Sequence, residues 1–266
     1  YRPGALRLVR TFHLQDFARR VYFRLACPDD GLIEVEVKPY RAVFRVHTPE
    51  ELRIVESLGG GETHVLTRLL SRIKPGDVIY DVGANVGVYS MFFARAAGET
   101  GAVYAFEPSG LAYCHLGENA ELNRVNGQVK CVRKALGDTP GRAVLRFGTT
   151  IGDSSLARGA IEERGEEVEV IRGDDFVTEF GAPVPQVVKI DVEGFEFSVL
   201  RGLRNTLRDP HCRLLCCEIH PQLLPAGVSK QTVLDFVHSL GFAELELVPR
   251  WDRTGHLIAE KRDRKL

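Results

Sequence analysis

Val78-Ile-Tyr-Asp-Val-Gly-Ala-Asn-Val-Gly-Val-Tyr-Ser90 is the stretch whose reading decides the fold. Val78, Ile79, Tyr80 and Val82 form a short apolar, β-branched run, the pattern of a buried strand. The run breaks on Gly83-Ala-Asn-Val-Gly87 and resumes as a helix through Tyr89, Ser90, Met91, Phe92 and Phe93. Strand, glycine turn and helix start make a nucleotide-binding corner. Glycine lets backbone approach a ligand, and the helix start offers free N–H groups. The spacing is Gly-x-Asn-x-Gly, not the Gly-x-Gly-x-x-Gly of pyrophosphate binders. Asp81 stands just before the turn, and an acid there repels phosphate and suits a cation. S-adenosylmethionine, a sulfonium with an amino-acid tail, is such a ligand.

Outward from this corner, the chain of 266 residues has 44% apolar content and a net charge of −1. That is ample for one large α/β domain or a domain with an appendage, and it gives no global field favouring nucleic acid. Six cysteines without a Cys-x-x-Cys pair, several in strand-like apolar runs, point to thiols in a reducing, cytoplasmic setting. No apolar run is long enough to span a bilayer.

Residues 1–60 read as an extension of helix and β-hairpin, ahead of a main domain at 61–266. Ala5 to Ala26 is expected as a helix with Leu14, Phe17, Ala18, Val21 and Leu25 on one stripe. Arg2, Arg7, Arg10, Arg19, Arg20 and Arg24 face only one acid, Asp16. Such a helix either contacts an anionic membrane peripherally or packs on its own domain or a second subunit. Ile33–Lys38 and Ala42–His47 alternate as a hairpin. Thr48-Pro49 with Glu51 is a capping-box pattern that opens a short helix. Val65, Leu66, Leu69, Leu70 and Ile73 mark another helix before Lys74-Pro-Gly-Asp77 leads into the central strand. These elements are expected to cover the cofactor edge or shape the substrate entrance.

Ala102–Phe106 is the second parallel strand and ends in Glu107-Pro108. Glu107 follows Gly83 by roughly the interval at which Rossmann-like folds place an acid on the ribose hydroxyls. Ser109 is a candidate helix cap. Val129–Arg133 is the third strand, and Ala135-Leu136 after it either walls an adenine or is a plain strand exit. The expected cofactor set is therefore Asp81, Gly83, Ala84, Asn85, Gly87, Tyr89, Ser90, Glu107, Pro108, Ala135, Leu136 and Asp191.

The ordered blocks Asp81-Val-Gly-Ala-Asn-Val-Gly-Val-Tyr-Ser90, Phe106-Glu-Pro108, Asn119-x-x-Leu-Asn123, Ala135-Leu-Gly-Asp138, Gly152-x-Ser-Ser-Leu156 and Lys189-Ile-Asp-Val-Glu-Gly194 carry a family likeness. Over roughly residues 60–260 the chain resembles the FkbM family of S-adenosylmethionine-dependent methyltransferases. The last block is the most specific. The resemblance implies O-methylation of a hydroxyl on a sugar, glycolipid or natural product, so the partner is a small-molecule or glycan acceptor. Ser109-Gly110 departs from the family, which more often shows Asn or Asp and Pro there.

In the second half, Ala143–Phe147 and Val168–Ile171 are expected to pair antiparallel around a polar loop. Ser154 and Ser155 in that loop are candidates for polar contacts, and Glu162–Glu167 reads as a solvated tip. Val187–Asp191 is a buried strand carrying one lysine, and it aims Asp191 at the same crevice as Asp81 and Glu107. The Asn/Asp-Pro-Pro-aromatic motif of nucleic-acid amino-methylating enzymes is missing here, so no nucleic-acid partner is expected. Glu218 and His220 are two apart on the next strand and share a face. His220 is the candidate general base, oriented by Glu218 or Asp191, and these three are the catalytic set. The same three could ligate a divalent cation, a role ranked below base, and no metal is assigned. Ala243–Val248 and His256–Glu260 close a seven-stranded, doubly wound Rossmann-like sheet. Two rivals remain: a NAD(P)-binding oxidoreductase, disfavoured by the missing Gly-x-Gly-x-x-Gly, and a silent scaffold on the same fold.

Overall fold

The computed structural model describes residues 17–147, 154–157, 165–249 and 254–262. The first half of the expected N-terminal helix, Gly152-Asp153 and Glu162–Arg164 lie outside the described residues. Helix α1 (17–26) precedes the hairpin β1 (Leu32–Val37) and β2 (Tyr40–Arg45), then α2 (Pro49–Ser57) and α3 (Gly61–Leu70). The N-cap of α2 is Thr48, whose side chain accepts from Glu51 N. Glu51 reaches one residue past the usual capping box, accepting from His47 N at 2.6 Å.

The central layer follows: β3 (Val78–Val82), α4 (Val88–Ala97), β4 (Ala102–Phe106), α5 (Gly110–Leu122), β5 (Val129–Val132), β6 (Ala135–Leu136), β7 (Gly141–Phe147), β8 (Ser154–Ala157), β9 (Gly165–Ile171), α6 (Gly173–Thr178), β10 (Val187–Ile190), α7 (Glu196–Gly202), α8 (Arg204–Arg208), β11 (Leu214–Ile219), α9 (Lys230–Ser239), β12 (Glu244–Pro249) and β13 (Gly255–Glu260). Seven strands form one sheet in the order β12-β13-β11-β10-β3-β4-β5. The strands β5 to β11 in this order run parallel, and β13 joins β11 antiparallel. The expected seven-stranded, doubly wound sheet is therefore present. Side-chain alternation splits the core in two. Ile79, Val187 and Cys216 face α3 and α4, whereas Tyr80, Val188 and Cys217 face α6 to α9.

The hairpin docks on α5 through two asparagines one helical turn apart. Asn119 Oδ1 accepts from Arg45 N and its Nδ2 donates to Val86 O, both at 2.9 Å. Asn123 accepts from Val43 N and donates back to Val43 O. Phe44 packs against Phe92, so the hairpin shares the core of the main domain. The expected antiparallel pair, β7 with β9, belongs to a second sheet of order β6-β9-β7-β8, in which β6 adds parallel to β9. Ser154 and Ser155 lie in β8. Among the described residues no helix is long and apolar enough to cross a membrane.

Candidate active site

Strand order reverses between β3 and β10, and their carboxyl ends open a crevice there. The glycine turn is shaped by three left-handed residues, Gly83, Asn85 and Gly87. A Cβ on Gly83 would run into the Asp191 carbonyl oxygen, and one on Gly87 into the Leu116 side chain. Both glycines therefore answer to close packing of protein on protein, and Gly83 also borders the cavity. Gly83 N and Ala84 N donate to Phe106 O at 3.0 Å, clamping the turn to the end of β4.

Glu107 completes the clamp. Its Oε2 accepts from Asn85 N at 2.9 Å and its Oε1 from Ser109 N at 2.8 Å. Burial pushes this carboxyl up to about 7, although both backbone donors and Lys189 pull the other way. The first N–H of α5 is not taken by the Ser109 side chain. Gly110 N donates to Glu166, which also binds Arg133 at 2.7 Å. A Cβ at Gly110 would collide with Arg133. Gly110 thus faces an Arg133–Glu166 pair, and Glu166 borders the cavity rather than standing on a solvated tip.

The cavity holds about 720 Å³, within the range that encloses a cofactor-sized ligand. Gly83, Ala84, Asn85, Tyr89, Glu107, Pro108, Ala135, Leu136, Asp191, Glu218 and His220 border it, whereas Asp81, Gly87 and Ser90 stand behind that wall. The reason for Asp81 is register: β3 and β10 place it directly beside Lys189. Asp81 is fully buried, 3.3 Å from Lys189 Nζ, and accepts from Ser90 Oγ at 2.6 Å. Its charge is spent on the lysine rather than presented to the cavity. Lys189 also donates to Gly83 O, lies 3.6 Å from Asp191 and sits over the Tyr89 ring. Burial opposes the ammonium charge, but Asp81 and Asp191 outweigh it and hold the lysine more firmly protonated than usual. A single charge in an apolar strand was the signal for such a partner; only strand order could say which one.

His220 follows β11 and is buried. Its Nδ1 is 2.5 Å from Oε1 of Glu196, which is fully buried at the start of α7. The carboxylate on Nδ1 is therefore Glu196, while Glu218 stands on the Nε2 side. Nε2 faces Glu193 at 3.2 Å and Glu218 at 3.7 Å. Burial opposes a charge on the ring, but the Glu196 bond and the charges of Glu193 and Asp191 push it up to about 9. Glu218 lies between two histidines, with His256 Nε2 at 3.3 Å on its other side and Thr254 donating to it. Glu62 of α3 closes the row, 3.7 Å from His256 and accepting from Tyr89 at 2.6 Å. Glu193 lies in the Lys189–Gly194 block but was given no role there, and Glu196, Glu62 and His256 had no sequence signal, because two helices and the last strand deliver them. Asp191, Glu193 and His220 each offer one donor atom, all within 4.8 Å of one another.

A doubly wound sheet with an acid-lined crevice at its switch point is the frame of nucleotide-binding α/β proteins, methyltransferases among them, and the comparisons select the methyltransferases. The Methyltransferase FkbM domain matches residues 81–243, and the chain belongs to that family. The hexuronic acid methyltransferase AglP of Haloferax volcanii is 32% identical over 195 residues, 73% of this chain and 77% of that protein. The 31-O-demethyl-FK506 methyltransferase FkbM of Streptomyces tacrolimicus is 32% identical over 179 residues, 56% of this chain and 67% of that protein. A structure assigned as an rRNA methylase from Clostridium thermocellum has a TM-score of 0.50 at 12% identity. It covers 77% of this chain and 95% of that one, and it shows the fold alone. The protein is a methyltransferase, as its motifs led one to expect.

Proposed function

We propose that the protein is an S-adenosylmethionine-dependent O-methyltransferase acting on a hydroxyl of a sugar, glycolipid or natural product. The observation that carries the cofactor assignment is the Glu107 clamp. A buried carboxylate is held at the turn by one backbone N–H on each oxygen, which leaves lone pairs for a vicinal diol. Asn85 Oδ1 is buried without a hydrogen-bond partner, an orphaned acceptor in the same turn. Pro108, Ala135 and Leu136 supply an apolar wall for a base. When bound, the cofactor supplies the methyl electrophile. The relatives' names, a hexuronic acid methyltransferase and a 31-O-demethyl-FK506 methyltransferase, support an oxygen acceptor on a sugar or natural product. Unpaired Cys212, Cys216 and Cys217 suit a reducing, cytoplasmic setting.

The chain's own residues supply proton handling. A hydroxyl is a weak nucleophile until it loses its proton, and a positioned base contributes roughly two to four powers of ten. His220 is that base, with Glu196 fixing the ring so that Nε2 faces the cavity side. Positive charge entering the acid-rich pocket lowers the proton affinity of His220, so the base form arises as the site loads. The donor set of Asp191, Glu193 and His220 favours a second use of the same ring, as ligand to a divalent cation oriented through Glu196.

Calorimetric titration with S-adenosylmethionine, beside NADH, tests the assignment. Micromolar binding of S-adenosylmethionine that Glu107→Ala weakens tenfold or more, about 1.4 kcal/mol, is expected. Absence of binding by folded wild type would replace it with a scaffold role, and NADH binding with an oxidoreductase.

A further inference from the structure

We infer that α1 is an interfacial helix that binds an anionic lipid bilayer. Phe23 is the side of the helix that packs on the core, and Tyr22 donates to Glu56 of α2 at 2.9 Å. The opposite side carries Phe17, Val21 and Leu25, spaced by four and so on one stripe. These three are 67%, 38% and 81% exposed. Their neighbours on the wheel, Arg20 and Arg24, are exposed beside the stripe. A globular domain normally turns such a stripe inward. Here the inward side is the one with Phe23, and the outward side combines large apolar groups with guanidinium groups.

That combination is the signature of a helix lying in a headgroup plane, its apolar side chains reaching the acyl boundary and its arginines meeting lipid phosphates. Arginine suits that contact because its planar fork binds phosphate oxygens in pairs. A neutral protein groove would satisfy the stripe but not the arginines, so charge complementarity selects an anionic bilayer as the occupant. The helix is tied to α2, whose Glu51, Ile54 and Ser57 border the cavity. The lipid-facing element is therefore built against the wall of the active site.

Flotation of the full chain with phosphatidylcholine vesicles, alone or mixed with phosphatidylglycerol, tests this. Wild type should float with the mixed vesicles and stay largely unbound with pure phosphatidylcholine, and added salt should release it. Phe17→Ser/Leu25→Ser and, separately, Arg20→Glu/Arg24→Glu should each weaken partitioning at least about tenfold. All four positions are exposed, so circular dichroism and thermal midpoint should match wild type. No flotation with anionic vesicles, or flotation unchanged in both double variants, would overturn the inference. So would a dimer by light scattering that the same variants dissociate without any vesicle binding, since a second copy would then be the occupant. Flotation reads no cofactor binding and no methyl transfer, so its failure and that of the proposed function are told apart.

Discussion

Replacing Lys189 by Met breaks its buried pair with Asp81 and removes its longer contact with the half-buried Asp191. Lys189 is 4% exposed and Asp81 0%, and their ion-pair distance is 3.3 Å. With the ammonium gone, Asp81 keeps its Ser90 hydrogen bond and loses its counter-charge, and its Oδ1 has no hydrogen bond to fall back on. Met fills the volume of the lysine stem, so little of the loss is packing. Breaking a buried pair by removing one partner costs about 3–5 kcal/mol, roughly two to four powers of ten in the folded-to-unfolded ratio. The matched Lys189→Met/Asp81→Asn removes both charges and keeps an acceptor for Ser90, so it should recover most of that loss. Urea unfolding followed by circular dichroism near neutral pH measures both. A single variant within about 1 kcal/mol of wild type, or a double variant no more stable than the single, would refute the reasoning.

Glu196→Gln should move the ascending limb of the rate profile, where His220 loses its proton, toward lower pH, because the bond that raises the ring most strongly loses its charge; an unmoved limb would take Glu196 out of the positioning role. S-adenosylmethionine affinity should climb as pH rises through about 7 and level off above it, since Glu107 must be ionised to accept both hydroxyls. One unit below that point the fall is about tenfold, and Glu107→Gln should flatten the curve. His220 has a folded pKa above its unfolded value, so its share of stability is complete below about 6.5 and lost as pH rises through about 9; a urea midpoint that drops across that window in wild type and drops less in His220→Gln is expected. Dialysis against a chelator followed by Mg²⁺ or Mn²⁺ should restore activity if Asp191, Glu193 and His220 hold a cation, and equal rates with and without chelator would leave His220 as base alone.

The sequence by itself determined the frame. Local apolar runs, glycine breaks and caps are short-range properties, so Val78–Ser90, the parallel strands and the terminal hairpin were legible. The acid at Glu107 was legible because a strand end fixes it relative to the turn. Which groups meet across the sheet was not, because that depends on strand order. Asp81 looked like a charge offered to a ligand until β10 came to lie beside β3 and Lys189 neutralised it. Glu196, Glu193, Glu62 and His256 reach the site from a helix start, a loop, an earlier helix and the last strand. Sequence separation hides such a cluster, and only tertiary packing concentrates its charges. Likewise, amphipathicity was plain in residues 17–26, but only docking through Phe23 decided that Phe17, Val21 and Leu25 face outward. Periodicity defines a stripe on a helix; the packing of the rest of the chain decides what covers it.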